Sequence, residues 1–200
     1  MEFESQEQQD LFGAIQQALP NFPPDIVYHW LLPFAQDIGW PPGPNDLKFH
    51  KETRWSGILR WPIQFWQAVQ WELVKADTQT LKFSRESLNG FQDMVSGHAY
   101  GRQTLLTIFL GENSKKRFFT QVFSLFSNGT FEQPPVLLKK GEWLDVVDGT
   151  HRMSAMVLVM SDPRWRRIHE AKYPSAPLSN AHNFWIGTPP VDALWTHEAE

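Results

Sequence analysis

One short segment constrains the fold of this chain more than any other part of the sequence. Between Leu144 and Met156 (LDVVDGTHRMSAM) a run typical of a buried strand leads directly into apolar residues at helical spacing. Met153, Met156 and Met160 lie at positions i, i+3 and i+7, a period that the second strand of a hairpin would not have. The segment therefore predicts a strand, a tight turn at residues 148–150 and a helix that ends at Asp162 and Pro163.

The residues before this segment extend the pattern. Pro134 and Pro135 favour an extended backbone leading into a strand at residues 136–138, and a turn at 139–142 separates it from the strand at 143–147. Further upstream, Leu105–Leu110 (LLTIFL) is apolar, of strand length and bounded by glycines. The phenylalanines after it lie on one helix face that ends at Asn128. Residues 101–162 thus predict a small mixed α/β core of the α+β class, in the order strand, helix, strand, turn, strand, helix.

The remainder of the chain is predicted to elaborate this core. Residues 1–100 are expected to be a helical, aromatic-rich N-terminal elaboration, and residues 163–200 an irregular tail rich in proline. With 200 residues in all, the chain is expected to form one compact unit. Four helices are predicted in the first part, at residues 11–19, 23–33, 63–74 and 84–97. The segment Gly39–Asn45 (GWPPGPN) is predicted to be a linker or a wrapped loop.

Composition excludes several classes of function. The chain has no cysteine, so it has no disulfide, no thiolate zinc site and no cysteine nucleophile. Its net charge of −4 argues against indiscriminate binding of polyanions. No basic region precedes an apolar run and no apolar run is long enough to span a bilayer, so we expect a cytoplasmic protein without a membrane span. Any association with the inner membrane would be peripheral and made through a partner.

The turn between the predicted strand and helix has the residues of a phosphate-binding loop. Gly149 lets a ligand approach the backbone, and the N–H groups of Thr150, His151 and Arg152 would point out of the helix N-terminus. Arg152 can bind a phosphate in a bidentate manner, and His151 can act as acid or base near neutral pH. Asp148 can hold Mg²⁺, cap the helix or orient a water molecule. An ordinary Asp-Gly turn followed by a solvated arginine is the alternative, and the spacing alone leaves both open.

Two runs of this sequence resemble a known family. SLFSNGTFEQPPVLL (124–138) followed by VVDGTHRMSA (146–155) is similar to the nucleotide-binding core of the ParB/sulfiredoxin superfamily. The superfamily has a G-x-x-R-x-x-A box at this point, here Gly149, Arg152 and Ala155, and the pair His151–Arg152 is the form found in sulfiredoxins and many ParB-like nucleases. The resemblance covers residues 100–162, about a third of the chain. It implies a mixed-sheet core that binds nucleotide.

Departures from the family narrow what the resemblance implies. Thr150 stands where sulfiredoxins have their catalytic cysteine, so reduction of sulfinic acids is excluded. The residues after Ser161 are too few for the DNA-binding and dimerisation domains of chromosome-partitioning ParB proteins. The single-domain branch remains, whose members bind or hydrolyse nucleoside triphosphates and in some cases cut DNA. Within that branch the chain is most similar to plasmid fertility-inhibition factors, which block conjugative transfer through type IV secretion systems.

The resemblance also implies ligands and partners. It implies a nucleoside triphosphatase acting on ATP or CTP with Mg²⁺ at Asp148, and DNase activity as a further expectation. Catalysis would fall to Asp148, His151 and Arg152, and the family's preceding helix would bring Lys116 or Arg117 to the phosphates, although a plain surface run of basic residues fits these two equally. The implied partners are nucleotide, DNA, and a type IV secretion coupling protein or the transferred nucleoprotein.

Two further patterns leave rival functions open. Arg164, Arg166 and Arg167 form a basic cluster with Trp165 among them, a pattern that suits a nucleic-acid strand and equally a solvated helix end. The tryptophans between residues 55 and 71 fit a docking surface or, more commonly, a core. A non-catalytic adaptor that docks on a secretion coupling protein, and a DNA-binding module gated by nucleotide, are therefore alternatives to the enzyme.

Overall fold

Four strands form a sheet in which β1 and β3 are the edges. The computed structural model describes residues 1–42 and 54–190. The strands are β1 (Gln70–Asp77), β2 (Val136–Lys140), β3 (Trp143–Asp148) and β4 (Ala181–Thr188), in the order β1-β4-β2-β3. Gly141 and Glu142 alone connect β2 to β3, and Gly141 has a φ of 62°, so this connection has the length and left-handed backbone of a hairpin turn.

Helices account for most of the other described residues. Side-chain caps that the sequence favours begin three of them: the oxygens of Ser5, Ser84 and Asp162 accept hydrogen bonds from the backbone N–H groups of the first turn. A π-helical turn at Val27–Leu31 joins the second helix to the third, and another at Val95–Ala99 extends the sixth. The helices are α1 (Gln6–Ala18), α2 (Pro24–Ile26), α3 (Leu32–Ile38), α4 (Arg54–Leu59), α5 (Ile63–Gln67), α6 (Arg85–Met94), α7 (Leu105–Asn128), α8 (Thr150–Ser161) and α9 (Pro163–Lys172).

The predicted fold class is confirmed, since helices and a mixed sheet make up the described chain. The strand, turn and helix that opened the sequence analysis are present as β3, the turn at Gly149 and α8. The predicted strand before β3 is present as β2. Ser84 begins α6 as expected.

Three predicted elements were wrong. Leu105–Leu110 is the first part of α7 and not a strand, and the glycine after it, Gly111 (φ 64°, ψ −167°), is a kink between two helical segments. A short apolar run does not distinguish a strand from a helix. The helix expected at residues 63–74 ends at Gln67, and β1 follows. The tail is not irregular, because it contains α9 and β4; Pro163, which ends α8, is tolerated at the first position of α9.

The described chain divides into two compact units, and their boundaries differ from the predicted ones. The first comprises Met1–Glu72, Leu138–Lys140 and Ile186–Glu200. Its core contains the rings of Phe22, Trp30 and Trp66, with centroid separations of 5.5–6.2 Å. Trp55 is also buried, whereas Trp61 and Trp71 are partly exposed. These tryptophans therefore mainly build the core of this unit. Of the segment 39–45, residues 43–45 lie outside the described part of the chain.

The second unit comprises Leu73–Leu137 and Gly141–Trp185. Its central helix is α8, which packs on α6, α7 and α9 and is buried on most sides. Apolar residues all around a helix require such a position. Helix α6, from the predicted N-terminal elaboration at residues 1–100, belongs to this unit. No helix in the described ranges has both the length and the apolar character that a bilayer span needs.

Candidate functional site

The turn between β3 and α8 depends on a glycine for two reasons. Gly149 has a φ of 98° and a ψ of 20°, in the left-handed region that other residues seldom adopt. A Cβ at this position would lie 2.9 Å from Nε of Arg152 and 3.0 Å from Cβ of Pro135. From the sequence, Gly149 is predicted to let a ligand approach the backbone. In the structure, the group that lies closest is the Arg152 side chain of the protein itself.

Arg152 is held by contacts within the unit. The residue is 9% exposed, and its Nη1 donates to the backbone carbonyl of Gln133 at 3.2 Å. Its Nη2 donates to the carboxylate of Asp148 in an ion pair, one helical turn before it in sequence. The guanidinium group that is expected to bind phosphate is thus already hydrogen-bonded within the protein. A phosphate would have to replace Asp148 as its partner.

His151 and Thr150 occupy the first turn of α8 and are partly exposed. The first-turn N–H groups of an α-helix have no acceptor within the helix, so those of Thr150, His151 and Arg152 are suited to an anion. The His151 imidazole extends towards α7, where its Nε2 lies 2.8 Å from Oγ of Ser114. The predicted cradle therefore extends to a second helix.

Ser114 connects His151 to another histidine. Its Oγ is 2.9 Å from Nε2 of His98, so one hydroxyl lies between two imidazoles. Ser114 and His98 are 5% and 6% exposed. Sequence reasoning missed both as site residues, because they lie on α7 and on the π-helical turn after α6 and no motif links them to α8. Only the π-helical turn, a feature often found at functional sites, gives a local signal, and it is visible only in the structure.

The electrostatic surroundings keep both imidazoles uncharged. Burial, as the main cause, and the charges of Arg117, His98 and Arg152 together lower the pKa of His151 from 6.5 to about 4. Burial also lowers the pKa of His98, and the charge of Lys115 acts in the same direction while that of Glu112 opposes it. The Ser114 hydroxyl has a third neighbour, Sδ of Met94 at 3.8 Å, and with one proton and two lone pairs it can donate to only one of the three.

The basic residues of α7 differ in whether their charges act on the histidines of the site. The charge of Arg117 acts on His151, so the structure brings this predicted residue near the turn. Lys116 is exposed, and its carbonyl accepts a hydrogen bond from the Thr120 hydroxyl within the helix. Lys115, which acts on His98, is the basic neighbour that the prediction did not select.

The second basic cluster lies elsewhere, on α9. Arg164, Arg166 and Arg167 are exposed, and each also makes a local contact: with the Asp162 carboxylate, with the Met160 carbonyl and with the Pro163 carbonyl. The ring of Trp165 packs against Phe119 and Phe126, with centroids 6.0 and 6.4 Å apart. The aromatic residue of this cluster thus contacts α7.

The residues at the turn can supply one carboxylate to a metal. Within residues 1–42 and 54–190, no group of three or more His, Cys, Asp and Glu side chains is close enough to hold an ion. Mg²⁺ in nucleotide sites is commonly held by one or two carboxylates together with substrate phosphates. Asp148 fits that role when its partner Arg152 turns to the phosphates.

Comparisons of the chain with protein-family models, with curated proteins and with solved structures gave no match. The resemblance to the ParB/sulfiredoxin superfamily therefore rests on the sequence runs quoted above and on their strand–turn–helix context.

Proposed function

We propose that the protein binds and hydrolyses a nucleoside triphosphate, ATP or CTP, at the first turn of α8. The observation that carries this proposal is the gathering of Arg117, His151 and Arg152 around a strand–glycine–helix turn. Cationic side chains and free helical N–H groups are the donors that polyphosphates require.

Binding of the triphosphate would exchange the partners of Arg152. In the structure its guanidinium pairs with Asp148. A phosphate offers the Arg152 guanidinium two charged oxygens, as the Asp148 carboxylate does, so it can replace this carboxylate at little cost in free energy. The displaced Asp148 can then contribute to Mg²⁺ held by the phosphates, which would neutralise developing negative charge. Binding of nucleotide and of metal should therefore be coupled.

His151 and Arg117 would act on the transferred phosphate. The neutral His151 can donate or accept one hydrogen bond, and a nearby anion would raise its pKa from the value of about 4 towards neutrality. The exposed Arg117 side chain on α7 can bind the phosphate oxygens as negative charge develops on them in the transition state. Gly149 and Thr150 supply the backbone of the cradle.

The wider role rests on the family resemblance. It extends the proposal to Mg²⁺-dependent cleavage of DNA and to inhibition of conjugative type IV secretion, at a cytoplasmic location or at the inner membrane through a coupling protein. The exposed guanidinium groups of Arg164, Arg166 and Arg167 on α9 support contact with DNA phosphates. The exposed Trp143, at 51%, supports the adaptor alternative.

Phosphate release from ATP and CTP, with and without Mg²⁺, tests the proposal. Arg117→Ala is the informative variant because Arg117 is exposed and its loss leaves no buried partner. Loss of one charged contact to the phosphates should reduce turnover about 10- to 100-fold. Lys82→Ala is the matched control, since Lys82 is an exposed cation paired with Glu142. Absence of binding and turnover with both nucleotides would rule out the enzyme and favour the adaptor.

A further inference from the structure

The hydroxyl of Ser114 is the meeting point of three helical elements. Ser114 lies on α7, three residues after the kink at Gly111, His98 lies on the π-helical turn, and His151 lies in the first turn of α8. The distances from Oγ to the two Nε2 atoms are 2.9 and 2.8 Å. Nucleotide binding at the turn does not require this arrangement. A nucleophilic serine needs a base within hydrogen-bonding distance of its hydroxyl, and Nε2 of His151 meets that requirement.

We propose that Ser114 is a nucleophile that accepts a phosphoryl group, with His151 as its general base and His98 as the donor that stabilises its oxygen. The assignment of the two imidazoles follows from their positions. His151 lies beside the proposed phosphate site, whereas His98 is buried behind Ser114 on another element. When His98 donates its Nε2–H to Oγ, Nε2 of His151 at 2.8 Å is the stronger and closer acceptor for the serine proton, and Sδ of Met94 at 3.8 Å is the weaker one.

The charges around the cluster favour an anionic electrophile. Three basic side chains lower the pKa of an imidazole: Arg117 and Arg152 act on His151, and Lys115 acts on His98. The charge of Glu112 opposes this effect at His98. Such surroundings disfavour a metal cation between the histidines. They also keep His151 deprotonated until an anion binds, which then raises its pKa and strengthens it as a base. The base would thus become effective only with the phosphate in place.

The nature of the phosphoryl donor rests on the function proposed above. The Oγ of Ser114 attacks the γ-phosphorus, and an Oγ–P bond forms while the bond from that phosphorus to the bridging oxygen breaks. The nucleoside diphosphate leaves with the electron pair, and the serine proton passes to Nε2 of His151. Water then attacks the phosphoserine, the Oγ–P bond breaks, and His151 returns its proton to Ser114. Inorganic phosphate departs with both protons of the water.

Two probes of the full chain separate this inference from the nucleotide proposal. Diisopropyl fluorophosphate modifies activated serines without any nucleotide, and γ-labelled ATP with Mg²⁺ reports transfer from nucleotide. Peptide mass spectrometry locates the modification in each case. Both labels are expected on Ser114, absent in Ser114→Ala, and slowed about 100-fold or more in His151→Gln, as for the loss of a general base. Ser127→Ala, which changes an exposed serine on the same helix, is the control and should label as the unmodified protein does.

The outcomes differ for the two proposals. Modification of Ser114 by the fluorophosphate that depends on His151, without ATP turnover, would support the nucleophile and overturn the nucleotide function. Suppose that ATP turnover persists in Ser114→Ala and that no serine of the unmodified protein is labelled. This result would overturn the role of Ser114 as a nucleophile and leave the nucleotide function. No labelling by either probe would also overturn the nucleophile. Should Ser114→Ala fail to fold, as judged by circular dichroism, His151→Gln decides the question, because glutamine keeps a hydrogen bond to Ser114.

Discussion

The hydroxyl of Ser114 and the imidazole of His151 form a hydrogen bond of 2.8 Å, although 37 residues separate them in sequence. This bond joins the middle of α7 to the first turn of α8. It holds the turn that the sequence predicts to be a phosphate cradle. The same turn is joined to the segment before β2 through Arg152 and Gln133. The site is thus held by neighbours from both sides.

Acid should destabilise the protein through His151. Its pKa is about 4 in the folded protein and 6.5 in an unperturbed histidine. Between these pH values the unfolded chain binds a proton that the folded protein does not, so the free energy of unfolding falls as pH falls. The loss is on the order of 3 kcal/mol. Burial also lowers the pKa of His98 and His182, so these histidines add to the loss of stability in acid. The contribution of His151 is therefore measured as the difference in free energy of unfolding between the unmodified protein and His151→Gln, by urea denaturation from pH 7 to pH 4. Parallel curves for the two proteins would contradict the prediction.

Anion binding should raise the pKa of His151. A phosphate near its imidazole stabilises the protonated ring and so opposes the charges of Arg117 and Arg152. Titration of the ring resonances by NMR, with and without saturating ATP, should show an upward shift for His151 and a smaller one for His98. The buried His182, which is hydrogen-bonded to Thr130 away from α8, provides an internal control. An unchanged pKa would place the anion elsewhere.

Gly149→Ala should destabilise the protein more than Gly141→Ala. Both glycines have a positive φ, so both substitutions introduce backbone strain. Only at Gly149 would the new methyl group also lie within about 3 Å of Arg152 and Pro135, because nothing lies within 4 Å of a Cβ at Gly141. We expect losses of about 1 kcal/mol for Gly141→Ala and about 2–4 kcal/mol for Gly149→Ala. Equal losses in urea denaturation would show that Arg152 moves away freely.

Asp148 and Arg152 should be energetically coupled. Their ion pair is partly buried, with side chains 25% and 11% exposed. Removal of either residue breaks the ion pair, so the sum of the two single losses should exceed the loss in the double variant. A double-mutant cycle with Asp148→Asn and Arg152→Gln should give a coupling free energy of about 1–3 kcal/mol. Strict additivity would mean that the two residues act separately, and that exchange of Arg152 onto phosphate need not release Asp148.

Gly187→Ala should destabilise the first unit. A Cβ at Gly187 would lie 2.8 Å from ring carbon Cζ3 of Trp71 and 2.8 Å from Cγ1 of Val69. Overpacking of this kind typically costs about 1–3 kcal/mol. The control is Gly13→Ala in α1, where the new methyl group meets nothing within 4 Å and should stabilise the helix by about 0.5–1 kcal/mol. Tryptophan fluorescence during denaturation distinguishes the two, and an unchanged midpoint for Gly187→Ala would contradict the expected overlap.

The sequence by itself determined the elements whose signals are local. The change from strand to helical period around Gly149 predicted β3, its turn and α8, and a serine cap at Ser84 or Ser87 predicted the start of α6. Local signals failed at Leu105–Leu110, where five apolar residues and one threonine fit a strand or a helix equally.

Only the tertiary structure decided what surrounds the candidate site. The residue types at 148–152 were evident from the sequence, but the engagement of Arg152 by Asp148 and Gln133 was not. Nor was the position of Ser114 between His98 and His151, because residues 16 and 37 positions away come together only when three helical elements pack. Spacing along a chain determines which residues share one turn or one face of a helix. Contacts between elements depend on how their apolar faces are buried against one another, and that packing sets the burial and the charges that control the two imidazoles.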